Sequence, residues 1–361
     1  WEGLRCSNSS AVCATETCRI VSLELSVGNS VDGAAQGYNL VGSLPADLSK
    51  LTALQFLDLA ENWLTGSVPS ALGMLTDLTN LYLSYNDLTG TIPATLSSLT
   101  NLLRLSIREN ILTGTLPPEL GALSKLTYFD FDFNFLTGHL PSDYGDGLVS
   151  CEYFDVEYNF ITGPIPSSYG NMAKLVLLDL DSTDISGTIP WELGKLSGAL
   201  EYLLLFQSRL SGSIPDSLGD LTKLNRLDVH SNQLSGSISI SFGGLTKLSY
   251  FSLGNNYLIG SLPSSMHSLS NVEMFSLSKN NLKGTIPTFV RNYTKLKKFF
   301  IQGNRFTGPA EGLFDIDHQV LLNHVDMSDN LFTGHLPEDL FRLPGIDTIA
   351  LSGMLCFYVF V

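Results

Sequence analysis

A right-handed α/β solenoid is the fold the sequence predicts, with one parallel inner sheet of about fourteen short strands and short helical or 3-10 turns outside. Three observations predict it. A glycine returns at Gly42, Gly66, Gly90, Gly114, Gly138, Gly163, Gly187, Gly212, Gly236, Gly260, Gly284, Gly308 and Gly334, in steps of 24 or 25 residues with a single 26 at the end. Ahead of each glycine runs a short alternating apolar segment such as Leu57-Asp58-Leu59, and in most units an Asn stands between the two. A period of this length marks a chain whose units bury their apolar faces only against their neighbours.

Each element of the unit has a physical reason. Alternation with a period of two puts the leucines on one face and the residues between them on the other, which is a strand. With Arg19 to Ser26 before the first glycine and Ile346 to Leu351 after the last, the count reaches fourteen. At about 4.8 Å per strand the sheet is roughly 60 Å long. The Asn recurs at Asn62, Asn86, Asn110, Asn134, Asn159, Asn232, Asn256, Asn280, Asn304 and Asn330. Its amide donates and accepts, so a buried column of them can satisfy the turn backbone of neighbouring coils. Thr183 and Ser208 interrupt the column, and their coils are expected to be less well tied. A proline follows three residues after the glycine in eleven of thirteen units, failing at Ser239 and Glu311. Its fixed φ and missing donor suit the edge where the chain leaves a second short strand. Stretches such as Ser70 to Leu75 form the outer turns.

Hydrophobic residues are 44% of the 361 and charged residues 15%, which supplies a continuous core and excludes disorder. The formal charge of −15 argues against nucleic acid and against anionic membrane, since both are bound through Lys and Arg. Three of the five cysteines crowd at Cys6, Cys13 and Cys18, suggesting an oxidised cap. Cys13 and Cys18 are expected to pair, being near in sequence where an apolar end must be covered. The sequons at Asn8 and Asn292 also point to the secretory pathway, with Asn292 on an outward turn. The expected organisation is a cap over 1–18, an undivided solenoid over 19–353 and an apolar tail over 354–361, too short to span a membrane. The chain reads as a fragment, beginning without an initiator Met or leader.

The unit LxxLxxLxLxxNxLTGxIPxxLGxLxx resembles, over nearly the whole chain, the plant-type leucine-rich repeats of receptor-like kinases, receptor-like proteins and polygalacturonase-inhibiting proteins. Trp1-Glu2-Gly3-Leu4-Arg5-Cys6 looks like the W-x-G-V-x-C box of that family's cap. The family's usual partner of Cys6 would precede Trp1. No kinase signature follows, so kinase activity is not carried over. The steps leave no room for the folded island some related receptors insert. The Arg pair with which others hold a peptide carboxyl terminus is absent, Lys297 and Lys298 being the nearest basic residues. The resemblance implies an extracellular or cell-surface location, a protein, peptide or glycan ligand, and a co-receptor.

Function is expected at the variable positions of the inner sheet, which carry no scaffold duty. In repeats four to six these hold seven acids and no base, with Tyr128, Asp130 and Asp132, then Tyr153, Asp155, Glu157 and Tyr158, then Asp179 and Asp181; Tyr202 extends the set. Interleaved tyrosines are the residue type that anchors interfaces. Asp130, Asp155 and Asp179 should stand in register about 5 Å apart, so their repulsion raises a pKa or recruits a cation. A flat ladder offers calcium few of its six to eight oxygens. A glycosidase pair has the right spacing but no desolvating cleft. His324 with Asp326 is a weak metal pair, and Cys151 in place of a core leucine reads as an inert thiol. The sequence therefore predicts a ligand-recognition module without cofactor, metal or catalysis, an ectodomain fragment whose ligand site comprises those tyrosines and acids. The alternative is a free secreted inhibitor or wall-associated protein. An ice-binding surface would want regular Thr ladders, and the inner positions are too varied.

Overall fold

A computed structural model describes residues 4–6, 19–26, 39–335 and 337–353. The expected Cys13–Cys18 bond, the Asn8 sequon and the apolar tail lie outside them. Two compact units divide the chain, Trp1–Asp184 and Ile185–Val361.

Among the described residues the inner strands are short and parallel, seven in each unit. In the first they are Ile20–Glu24, Phe56–Asp58, Asn80–Tyr82, Arg104–Ser106, Tyr128–Asp130, Tyr153–Asp155 and Leu177–Asp179. Leu4–Cys6 pairs antiparallel to the first of these. In the second they are Tyr202–Leu204, Arg226–Asp228, Tyr250–Ser252, Met274–Ser276, Lys298–Phe300, His324–Asp326 and Thr348–Ala350. The fourteen strands expected from the repeat are thus present, with 3-10 turns such as Ser70–Met74 outside them.

The asparagine column ties the coils as its chemistry requires. Asn86 accepts from Leu64 N at 3.0 Å and donates to Leu59 O, Leu83 O and Ser84 O at 3.0 to 3.1 Å. One amide thereby satisfies four backbone groups on two coils. Where the Asn is replaced, Thr183 Oγ1 donates to Leu180 O and Ser208 Oγ to Phe206 O. Past the Asn comes the second strand, for example Trp63–Ser67, whose Gly66 holds φ +75° with a neighbouring side chain, Ser43, only 3.3 Å from where a Cβ would stand. Both facts demand glycine. The following proline caps the 3-10 turn: Pro69 has φ −67°, and its carbonyl accepts from Leu72 N at 3.0 Å. The core between is largely apolar, with Phe129, Phe131 and Phe154 buried beside Tyr144 and Tyr169. Tyr144 keeps its hydroxyl there by donating to Pro117 O at 2.8 Å. Cys151 is buried as expected, its thiol directed to Tyr153 O and pushed far up by burial.

Candidate functional site

The strands Tyr128–Asp130, Tyr153–Asp155 and Leu177–Asp179 pair in exact register, Asp130 opposite Asp155 and Asp155 opposite Asp179. This is the acid ladder the sequence predicts, but it is not a solvated face. Asp130, Asp132, Asp155, Asp179 and Asp181 are all buried, and Glu157 is half-buried. The tyrosines cover them. Tyr128 and Tyr153 stack with centroids 4.3 Å apart and 14° between planes. Each phenol turns in toward the acid two residues on: Tyr128 donates to Asp130 at 3.1 Å and Tyr153 to Asp155 at 2.9 Å.

The acids also hold the backbone, which corrects the expectation that these positions carry no scaffold duty. Asp155 Oδ1 accepts from Glu157 N at 3.0 Å, and Asp179 Oδ1 from Asp181 N at 3.2 Å. Ser106 donates to Asp130 at 2.9 Å. A carboxylate two residues ahead of a free N–H can close a small ring with it, so an acid at the strand's end fixes the turn into the ladder Asn.

Loss of water raises the carboxyls of Asp130, Asp132, Asp155, Glu157 and Asp179, and repulsion from neighbouring acids adds to it at the last four. Asp132 is pushed up to about 8 by burial and by Asp130 and Asp155, against the pull of Arg108. Asp155, Glu157 and Asp179 rise for the same two reasons, burial first. Arg108 Nε lies 3.2 Å from Asp132 Oδ1, and its guanidinium stands 5.1 Å from the Tyr85 ring centroid. Two carboxylate triplets, Asp130 with Asp132 and Asp155, and Asp155 with Glu157 and Asp179, bring ligand oxygens within 4.8 Å of one another. They are where a cation could be held, with three side chains offered to each.

Tyr158 stands apart from the other predicted tyrosines. It is 46% exposed and stacks on Phe133 at 4.2 Å. Tyr202, in the second unit, is half-buried and pairs in register with Arg226. Sequence reasoning missed what surrounds that arginine. Arg226 donates to buried Asp228 at 3.2 Å and lies 4.1 Å from the Tyr250 ring centroid. His230 Nδ1 is 2.6 Å from the other Asp228 oxygen, and Phe206 stacks on the imidazole. The signal was the alternation Arg226, Asp228, His230, which puts all three on one face of a strand. His324 and Asp326 engage Asn323 and Ser328.

Repeat and fold together have the form of a leucine-rich-repeat solenoid. The leucine-rich-repeat family model matches residues 53–75, 77–99, 223–245 and 321–343. No curated protein matches the chain by sequence. Among solved structures it is similar to the plant peptide hormone receptor RGFR1 in complex with RGF2, at 30% identity and TM-score 0.79 over 87% of this chain and 53% of that one. It is also similar to the Arabidopsis receptor kinase HAESA in complex with the peptide hormone IDA and the co-receptor SERK1, at 29% identity and TM-score 0.77 over 88% and 56%. A plant ice-binding protein matches at 26% identity and TM-score 0.57 over 84% of each chain. The chain thus spans about half the length of the two receptors. Among the described residues no helix is long and apolar enough to cross a membrane.

Proposed function

We propose that this chain is the ligand-recognition part of an extracellular receptor-like protein, and that it binds a peptide on the inner sheet of the Trp1–Asp184 unit. It works by binding rather than catalysis. One observation carries the reading: two stacked tyrosines, Tyr128 and Tyr153, roof a row of buried acids on the open face of the sheet. Their rings offer a rigid apolar surface that loses little entropy when a ligand covers it. The receptors it resembles hold peptide hormones, and one of them a co-receptor. A peptide ligand and a co-receptor are the partners this reading assigns, with secretion and a glycan on exposed Asn292.

The test is a selection of phage-displayed random dodecapeptides on the immobilised whole chain. Selected peptides should lose at least tenfold in affinity when Tyr128 and Tyr153 are both replaced by Ala, with urea unfolding confirming that the variant is folded. Peptides that bind the variant as tightly as the parent would refute the inner-sheet site.

A further inference from the structure

The first unit carries a second feature that the repeat does not require. The residue just before each ladder position holds a left-handed backbone, with φ +46° at Phe133 and +47° at Tyr158. That conformation suits Gly, Asn or Asp, which three coils place there as Asn255, Gly303 and Asp329, while others hold Glu61, Tyr85, Glu109, Ser182, Gln207, Ser231 and Lys279. Phe133 and Tyr158 are strained by it and still stand 40% and 46% exposed, so neither turn nor core accounts for them. Just after the ladder Asn, Phe135 and Phe160 are similarly exposed, with ring centroids 6.0 Å apart.

These two aromatic pairs, with Asn134 and Asn159 between them, wall an open slot of about 320 Å³ on the flank of the unit. The two amides are committed to the ladder. Asn134 donates to Ile107 O, Phe131 O and Asp132 O and accepts from Leu112 N. Asn159 does the same one coil on. Apart from the Tyr158 and Ser182 hydroxyls the rest of the wall is aromatic, so a hydroxyl-rich occupant would lose more water than it could replace with hydrogen bonds. Aromatic faces instead favour a flat, weakly hydrated cation.

Charge points the same way. Residues 1–184 contain 21 Asp and Glu against 7 Lys and Arg, leaving 14 against 13 for the rest of the chain, so nearly all of the net −15 belongs to this unit. The cation of the neighbouring coil, Arg108, is already paired with Glu109 and Asp132.

We infer that the slot receives the guanidinium of an arginine in a basic peptide segment that lies along this flank. The inference rests on the peptide-recognition reading and adds the side-chain class. Its test uses the whole chain and three probes, hepta-arginine, hepta-lysine and hepta-citrulline, the last being flat but uncharged. Titration calorimetry should show hepta-arginine binding at least tenfold tighter than either other probe. The variant Tyr158→Asn with Phe160→Asn, which installs the residues that Asn255 and Asn281 supply in other coils, should remove that preference and leave hepta-lysine unchanged. Its melting temperature should hold or rise, because Asn relieves the left-handed strain. Equal binding of arginine and lysine probes, untouched by the variant, overturns the slot and leaves peptide recognition standing. Selected dodecapeptides that need Tyr128 and Tyr153 but ignore the slot variant do the same. Slot-dependent arginine preference, with dodecapeptides indifferent to Tyr128 and Tyr153, keeps the slot and sinks the inner-sheet site.

Discussion

Replacing Asp132 by Asn should make the protein more stable near neutrality and leave it unchanged in acid. Asp132 is 2% exposed, and burial together with Asp130 and Asp155 lifts its carboxyl from 3.8 to about 8. In the unfolded chain the group ionises above 3.8, whereas in the fold it keeps its proton to about 8. Its favourable contribution is therefore complete below pH 3.8 and drains away as pH rises toward 8. At 1.36 kcal/mol per unit, the roughly three units between the unfolded value and neutrality amount to about 4 kcal/mol. Sharing of protons with Asp155, Glu157 and Asp179 reduces what one substitution recovers, so about 2 kcal/mol is the expected gain. Asn has the shape of the protonated acid and can still face Arg108. The assay is urea unfolding of parent and variant at about pH 4, 5.5 and 7, read as the gap between them. A gap that stays flat with pH refutes the reasoning. So does a variant less stable than the parent at neutrality, which would mean that the Arg108 pair holds Asp132 ionised.

Asn86→Ala should cost about 3 to 5 kcal/mol, because it strips Leu64 N, Leu59 O, Leu83 O and Ser84 O of a partner at once, with urea unfolding as the measure. Gly90→Ala should cost about 1 to 2 kcal/mol by the same measure, since φ there is +78° and Ser67 Cβ lies 3.3 Å from the new methyl. Cys151 should resist a maleimide in native protein and react once the chain unfolds, its thiol being fully buried; fast native labelling would contradict that placement. Asn292 should carry glycan when the protein is secreted from a eukaryotic host, seen as a mass loss on enzymatic deglycosylation.

The fold was legible because its constraints are local and repeated. Gly66 must hold a positive φ, Pro69 must open a turn and Asn86 must bridge coils, and each demand is met again some 24 residues later. The site was legible only as a list of positions. Alternation places Asp130, Asp155 and Asp179 on the inner face and parallel register brings them together, and both inferences hold. Depth is what alternation leaves out. Whether an inner acid faces water depends on the size and tilt of the residues two places before it and one coil away, and Tyr128 and Tyr153 fold over the acids rather than standing clear of them.

That burial changes what a ligand meets on the inner sheet. With the carboxyls raised and roofed by phenols, the sheet presents tyrosine rings first, and its acids respond only when an approaching cation makes ionisation favourable. A cationic ligand would then release protons as it docks, so its affinity should rise with pH across the interval in which Asp132 titrates, while an apolar ligand resting on the rings alone should bind equally well throughout. The same logic separates the two faces of the unit. At the proposed flank slot the rings are exposed and the adjoining amides are committed to the ladder, so flatness and charge of a single side chain would decide binding. On the proposed inner-sheet site a ligand that reaches the acids would have to open a tyrosine–carboxyl hydrogen bond and replace it with one of its own.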